Sequence, residues 1–426
     1  MKVLLVGPSH RPFLGGAQTL REAMARRLVA DGHQVTLLTT NARQPSDYWQ
    51  PPKGGPSPLP AVERVDGLVI ERLPLTYPWP APYAFGVIRR AGHWLGRLGL
   101  PASLARPLQW RLSSAMPPLP GLSAALDRLV PSADLVQVED ASWDGLFVAA
   151  ARAALRDGKP LVALPLMHLS SAGISAQYQM AHQVDIYRKA SAVLVISAGE
   201  EDALAQLGVA PERIHRLTLG IDSQVAMLSD SDVAEFRRQY TLSGPLVAFL
   251  GANTYDKGAY TLALAVAQLN LAGFRLECVC AGPQSDGLCA YIERQPSEVR
   301  NVLHERTRIL GVVDERTKHQ LLSAMDMLAL PSQVDAFGLV FLEAWLHGKP
   351  VIGAWAGGIP DLVKHEQTGL LVPFGDAAAL AAAIRRLLAD SALALRLGSA
   401  GHREVLERYT WEHTYQQLLE VYSSSQ

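Results

Sequence analysis

Short apolar runs rich in leucine and β-branched residues recur along the chain, separated by longer amphipathic stretches. The first half carries KVLLVG, QVTLLTT, DLVQVED, PLVALPL and AVLVIS, and the second PLVAFLG, RLECVCAG, MLALPS, KPVIGAW and GLLVP. Each run has strand length and is apolar on both faces, as in a parallel sheet covered on both sides, and the stretches between have room for helices. Such alternation predicts right-handed βαβ units. It runs twice, and 426 residues exceed what one hydrophobic core usually supports. We therefore expect two α/β domains facing an interdomain cleft. Between Ile196 and Leu246 the strand signal weakens and polarity is mixed (GIDSQVAMLSDSDVAEF), which places the linker there. The expected domains are residues 1–215 and 216–405. The final segment, 406–426, carries a stripe of Trp411, Tyr415, Leu418, Leu419 and Tyr422 at helical spacing, so it is expected as a helix packing back toward the N-terminal domain.

One segment breaks the alternation. From Leu73 to Leu126 there is no Asp or Glu, yet there are five arginines, three tryptophans (Trp79, Trp94, Trp110) and many prolines. That composition suits peripheral contact with an anionic membrane surface or a grip on an anionic acceptor. It suits equally an irregular, Pro-rich cap over the first domain's core.

Charge is balanced, Lys+Arg 39 against Asp+Glu 40, which removes the electrostatic footprint of a nucleic-acid binder. Cys278, Cys280 and Cys289 lack a metal-ligand spacing, so no metal site is expected, and the first two share one face of a strand as thiols in a reducing compartment. The opening MKVLLVGPSH reads as a first strand, and no apolar run reaches the length of a membrane span. The expected location is the cytoplasm, with peripheral contact at the inner membrane face left open by segment 73–126.

Three loops carry candidate chemistry. Gly15-Gly16 sits where a strand hands over to a helix beginning near Ala17, and two glycines let backbone N–H groups approach a phosphate or polar acceptor. In the second half, Lys257-Gly258 precedes a helix, where an ammonium can neutralise a leaving diphosphate; Asp256 beside it is the alternative partner for Lys257. Further on, the turn Gly311 to Val313 can offer its backbone at Val312 to a base edge. The densest stretch is PSQVDAFGLVFLEAWLHGKPVIG. A helix opening at Phe337-Gly338 puts Asp335 on the preceding loop and Glu343 roughly one and a half turns inside, bracketing helix N–H groups that attract phosphate. Each carboxylate can accept from hydroxyls, as a sugar diphosphate with a second sugar would require. Equally, Asp335 can be a cap and Glu343 a solvated helical residue.

The stretch PSQVDAFGLVFLEAWLHGKPVIGAWAGGIPDLVKHEQTGLLVPFGD resembles the signature of retaining GT-B glycosyltransferases of the group 1 (family 4) type: an acid, seven residues, a glutamate, then a GxPV strand, a GGIP turn and a TGxLV strand. The likeness extends over nearly the whole chain through the early Gly-Gly turn, DIYRKASAVLVIS, RIHRLTLGID, the DKG loop and the terminal Trp-bearing helix. It implies two Rossmann-like domains, the first binding acceptor and the second a nucleotide sugar of UDP or GDP type, with no cofactor and no metal. It also implies metal-independent transfer of a sugar to an acceptor hydroxyl with retention, the acceptor being a carbohydrate or lipid-linked.

By that resemblance Glu343 holds the ribose hydroxyls and Asp335 those of the donor sugar, while Phe337, Gly338, Leu339 and Val340 meet the sugar and diphosphate through their backbone. Lys257 corresponds to the lysine on the diphosphate, Gly16 to the glycine beside the transferred group, and His168 to a histidine near the donor sugar; apart from the resemblance, Asn253 and Val312 are also expected at the donor. Three departures stand out. The first acid is Asp335, one methylene shorter than the usual Glu; Gly251, Ala252 and Asn253 occupy the place of an arginine that usually precedes the lysine; and Leu219-Gly220 replaces Asn-Gly. The missing cation keeps open a non-catalytic sugar-nucleotide binding protein, and the shared architecture a nucleotide-sugar epimerase.

Overall fold

The computed structural model describes residues 1–12, 15–48, 51, 55, 57–77, 87, 104, 107–108, 110–111, 118–167, 169, 178–223, 228–335 and 337–426. Two compact units are present: Met1–Leu217 with Thr414–Gln426, and Thr218–His413.

The first unit is built on an eight-stranded sheet: β1 (Lys2–Val6), β2 (Gln34–Thr40), β3 (Val62–Val65), β4 (Leu68–Leu73), β5 (Leu135–Glu139), β6 (Leu161–Leu164), β7 (Ala192–Val195) and β8 (Ile214–Arg216), in spatial order β3-β4-β2-β1-β5-β6-β7-β8. All neighbours run parallel except β3 and β4. Its helices include α1 (Gly16–Ala30), α2 (Leu122–Ser132), α3 (Asp144–Arg156), α4 (Ala181–Lys189) and α5 (Ala198–Gln206). Strands β5, β6 and β7 are buried along their whole length, which is why they read as continuous apolar runs.

The antiparallel β3–β4 hairpin adds an edge to the parallel sheet expected from sequence. It turns at Asp66 and Gly67, both with positive φ (50° and 85°), the pairing a tight two-residue hairpin turn demands. Its signature, VDGL between alternating residues, is visible in the chain. β3 sits at the sheet edge and is mostly exposed, so burial lends it no apolar run.

The second unit is a six-stranded, wholly parallel sheet: β9 (Leu246–Leu250), β10 (Glu277–Ala281), β11 (Thr307–Gly311), β12 (Met327–Leu330), β13 (Val351–Ala354) and β14 (Leu370–Val372), in order β11-β10-β9-β12-β13-β14. Its helices are α6 (Asp230–Gln239), α7 (Ala259–Leu271), α8 (Ser285–Glu293), α9 (Ser297–Arg306), α10 (Glu315–Ala324), α11 (Leu339–Leu346), α12 (Ile359–Leu362), α13 (Ala377–Ala389) and α14 (Ser391–Arg408). One apolar core runs through the sheet, with Phe249, Phe341 and Trp345 fully buried. Cys278 and Cys280 lie inside it, whereas Cys289 is exposed on α8.

The boundary between the two units, Leu217 to Thr218, falls within the stretch 196–246, which carries regular structure. That stretch holds α5, β8 and α6, and α6 starts at a capping box in which Ser229 and Asp232 satisfy each other's backbone N–H groups. Gly220 packs against the Thr410–Trp411 backbone, where a Cβ would come within 2.5 Å of Trp411 N, and Ile221 bridges to Thr410. The last helix, α15 (Trp411–Ser425), belongs to the first unit from Thr414 onward. There Tyr415 Oη donates to Asp31 (2.7 Å) and the fully buried Tyr422 Oη to Gln137 (2.7 Å).

Candidate functional site

In the second sheet the chain moves outward from β9 to β10 and β11 on one side and then to β12, β13 and β14 on the other. The order therefore reverses between β9 and β12, and in open α/β sheets ligands bind outside the carboxyl ends of the strands at such a point. The loops that leave β9 and β12 carry Lys257 and Asp335. They are pinned to each other by backbone: Gln333 N donates to Asp256 O at 2.8 Å, and Gly258, with φ +86°, lies so close to Pro331 that a Cβ would reach its carbonyl oxygen at 2.4 Å. From the next strand over, Gly358 N donates to Asp335 O at 2.8 Å, and a Cβ on Gly357 would strike the same oxygen. The GGIP turn thus holds the acidic loop in place.

Lys257 Nζ donates to Asp335 Oδ1 at 2.8 Å, so Lys257 is paired with Asp335 and not with its neighbour Asp256. Asp335 Oδ2 is buried with no hydrogen-bond partner among the described residues. Leaving a buried acceptor unfilled costs about 1–3 kcal/mol, and a ligand hydroxyl would recover it. Just beyond, Gly338 adopts φ +86° and starts α11 with no side-chain cap, as Gly258 does for α7. By contrast α6, α10 and α13 are capped by Ser229, Asp314 and Asp376. The two helices flanking the reversal therefore present partial positive charge that no side chain of their own answers. On α11, Glu343 Oε1 accepts from Lys318 Nζ of α10 at 2.8 Å.

Of the residues expected from sequence, the structure brings together Lys257 and Asp335 and sets Gly338, Leu339, Val340 and Glu343 on the helix that follows. Phe337 is half-buried against Tyr409, ring centroids 5.8 Å apart. Asn253 is fully buried, its N bonded to Pro283 O (2.8 Å) and its Nδ2 to Gly282 O (3.0 Å) and Ser285 Oγ (3.1 Å), so it braces the loop after β10. Val312, past the edge strand β11, is exposed. His168 lies outside the described residues, as does most of segment 73–126. Among the described residues no helix is long and apolar enough to cross a membrane, and no three His, Cys, Asp or Glu side chains cluster as metal ligands.

In the first unit the equivalent reversal lies between β1 and β5. Gly16 begins α1 there, exposed, and a Cβ on it would meet nothing within 4 Å. Sequence reading missed what supports that loop. Arg21 and Glu139, both fully buried, pair at 2.7 Å; Arg21 also donates to Ser9 O, and Gln137 Nε2 to Glu139 Oε1 at 2.8 Å. The guanidinium lies over Gly7, where a Cβ would come within 2.2 Å of it. Nothing in the local pattern marks Arg21 as interior, because one charged residue in an amphipathic helix reads as solvent-facing.

Titration follows from this burial. Burial, His319 and Lys349 push His347 down to about 4, and burial together with Arg21 does the same to His10. Both folded values lie below that of an unfolded imidazole. Each group therefore contributes stability that is complete above about pH 6.5 and is lost as pH falls toward 4. Glu200 acts in the opposite direction: burial raises it to about 7, against backbone donors at Ile196 and Met167. The melting temperature of His347→Gln should accordingly fall less than wild type between pH 6.5 and 4. Parallel curves from scanning calorimetry would refute the assignment.

Comparison with known proteins bears on the whole chain. The model described as "Glycosyl transferase 4-like domain" matches residues 15–220, and "Glycosyl transferases group 1" matches residues 244–390. Alpha-maltose-1-phosphate synthase of Mycolicibacterium smegmatis is 32% identical over 72% of this chain and 85% of that protein. D-inositol 3-phosphate glycosyltransferase 1 of Catenulispora acidiphila is 28% identical over 59% of this chain, which spans 62% of its length. The crystal structure of Anabaena HepE in complex with UDP superposes with a TM-score of 0.74 at 21% identity, each chain covered in full. With two parallel-sheet α/β units, both family models in order and a relative matched over most of its length, this chain belongs to the group 1 glycosyltransferases of GT-B fold.

Proposed function

We propose that the protein transfers a hexose from a nucleoside diphosphate sugar to an acceptor hydroxyl, with retention at the anomeric carbon and without a metal ion. The observation that carries this reading is the Lys257–Asp335 pair at the strand-order reversal, set against the uncapped start of α11. Lys257 and the α11 amides receive the diphosphate and stabilise it as it leaves. Asp335 accepts from hydroxyls of the sugar, and Glu343 from those of the ribose. The departing phosphate takes the acceptor proton on the face it leaves, so the two carboxylates do not serve as a glycosidase acid and base. Support for a UDP donor comes from the UDP bound to HepE, and for a phosphorylated or otherwise anionic acceptor from the names of the two relatives.

The test is incubation with a panel of nucleotide sugars and sugar phosphates in excess EDTA, following released nucleotide, with the product anomer read by NMR. Release dependent on added divalent ion, or an inverted product, would sink the metal-free retaining mechanism. The uncharged loop Gly251–Asn253 favours one competing reading, a binding protein without turnover; donor binding with no release on any acceptor would establish it.

A further inference from the structure

Glu343 does not stand alone. Lys318 approaches it from α10 at 2.8 Å and is itself held at 2.8 Å by Glu315, three residues earlier on its own helix. The Lys318 and Glu343 side chains are only 21% and 26% exposed, against 80% for Glu315. One turn further on, His347 Nε2 meets His319 Nδ1 at 3.2 Å and His347 Nδ1 meets Ser323 Oγ at 3.1 Å, which fastens α10 to α11. The ammonium is therefore presented to the carboxylate by two helices fastened to each other, and among the described residues it binds Oε1, leaving Oε2 for a ligand.

We propose that Lys318 is a positioning residue for nucleotide recognition: it fixes the rotamer of Glu343 and offsets part of its charge, so that the carboxylate accepts ribose hydroxyls with less repulsion of the diphosphate. This rests on the reading that Glu343 holds the ribose. Two physical needs meet here. A side chain that must form directed hydrogen bonds gains when its rotamer is already set. A bare carboxylate on the helix that draws the diphosphate would oppose the field of that helix.

The test uses UDP and GDP against their 2′-deoxy forms, with affinities from calorimetry. A hydroxyl donating to a charged carboxylate gives the ribo form an advantage of about tenfold or more in wild type. Glu343→Gln should bring that ratio close to one. Lys318→Met should reduce it several-fold and weaken the ribo form most, and Lys318→Arg should restore most of it, a rescue that a merely structural lysine would not show. If Lys318→Met fails to fold, Lys318→Ala takes its place. A wild-type ratio in the lysine variant beside a collapsed one in Glu343→Gln overturns the role of Lys318 alone. A wild-type ratio in Glu343→Gln, or no binding of either nucleotide, overturns the ribose reading and this inference with it.

Discussion

Lys257→Met should lower kcat on the preferred donor by about a hundred- to a thousandfold, the usual effect of removing one group that stabilises charge developing in a transition state. The change is felt in turnover more than in donor affinity, because the ammonium gains most as the diphosphate departs. Its pairing with Asp335 at 2.8 Å complicates the single variant, since Met leaves a partly buried carboxylate without its cation. Asp335→Asn and the double variant complete the cycle. If the two residues act as a unit, the double variant should be far less impaired than the product of the single losses. Activity within threefold of wild type in Lys257→Met would remove this lysine from the mechanism. No other cation takes up the position in the loop sequence Gly251-Ala252-Asn253, so little compensation is expected.

Arg21→Met should destabilise the first unit by about 3–5 kcal/mol, the range found when one partner of a buried ion pair is removed and the other stays charged. Arg21 and Glu139 have no side-chain exposure, and Glu139 would be left with only Gln137 as a donor among the described residues. Denaturant unfolding of wild type and variant, compared at equal slope, measures the loss. The double variant Arg21→Met/Glu139→Leu should recover much of it, because no buried charge remains. An Arg21→Met midpoint equal to wild type would mean that water or a rearranged loop reaches Glu139. A cost confined to stability is not expected either: the pair ties α1 to the end of β5, so a shifted Gly15-Gly16 turn should raise the apparent KM of the protein.

The candidate site was legible where chemistry and local geometry coincide. Lys257, Asp335, Gly338 and Glu343 stand beside glycines and at helix starts that the chain itself declares, and Gly258 and Gly338 both take the positive φ that only glycine adopts at little cost. Lys318 was not legible. It is one of several charged residues in ERTKHQLLSAM, and only the packing of α10 against α11 distinguishes it from Glu315 or Arg316. Nor was the setting of Asn253, expected at the donor: its Nδ2 binds Gly282 and Ser285, while its buried Oδ1 has no hydrogen-bond partner among the described residues. The β3–β4 hairpin was missed for a different reason, since an exposed edge strand lacks the apolar run that burial imposes on β5 or β9.

What the chain alone determined is the set of properties encoded within a dozen or so residues. These are the alternation of strand and helix, the glycine turns that let backbone approach a ligand, and the order of motifs that marks the glycosyltransferase family. Which charges meet was decided only in three dimensions. Lys257 chose Asp335, 78 residues away, over the adjacent Asp256, and Arg21 found Glu139 across 118 residues. Strand order sets those encounters, because it brings the loop after β9 beside the loop after β12 and the helix after β1 beside the end of β5. Local periodicity records which face of an element is buried, and it holds no record of what lies opposite.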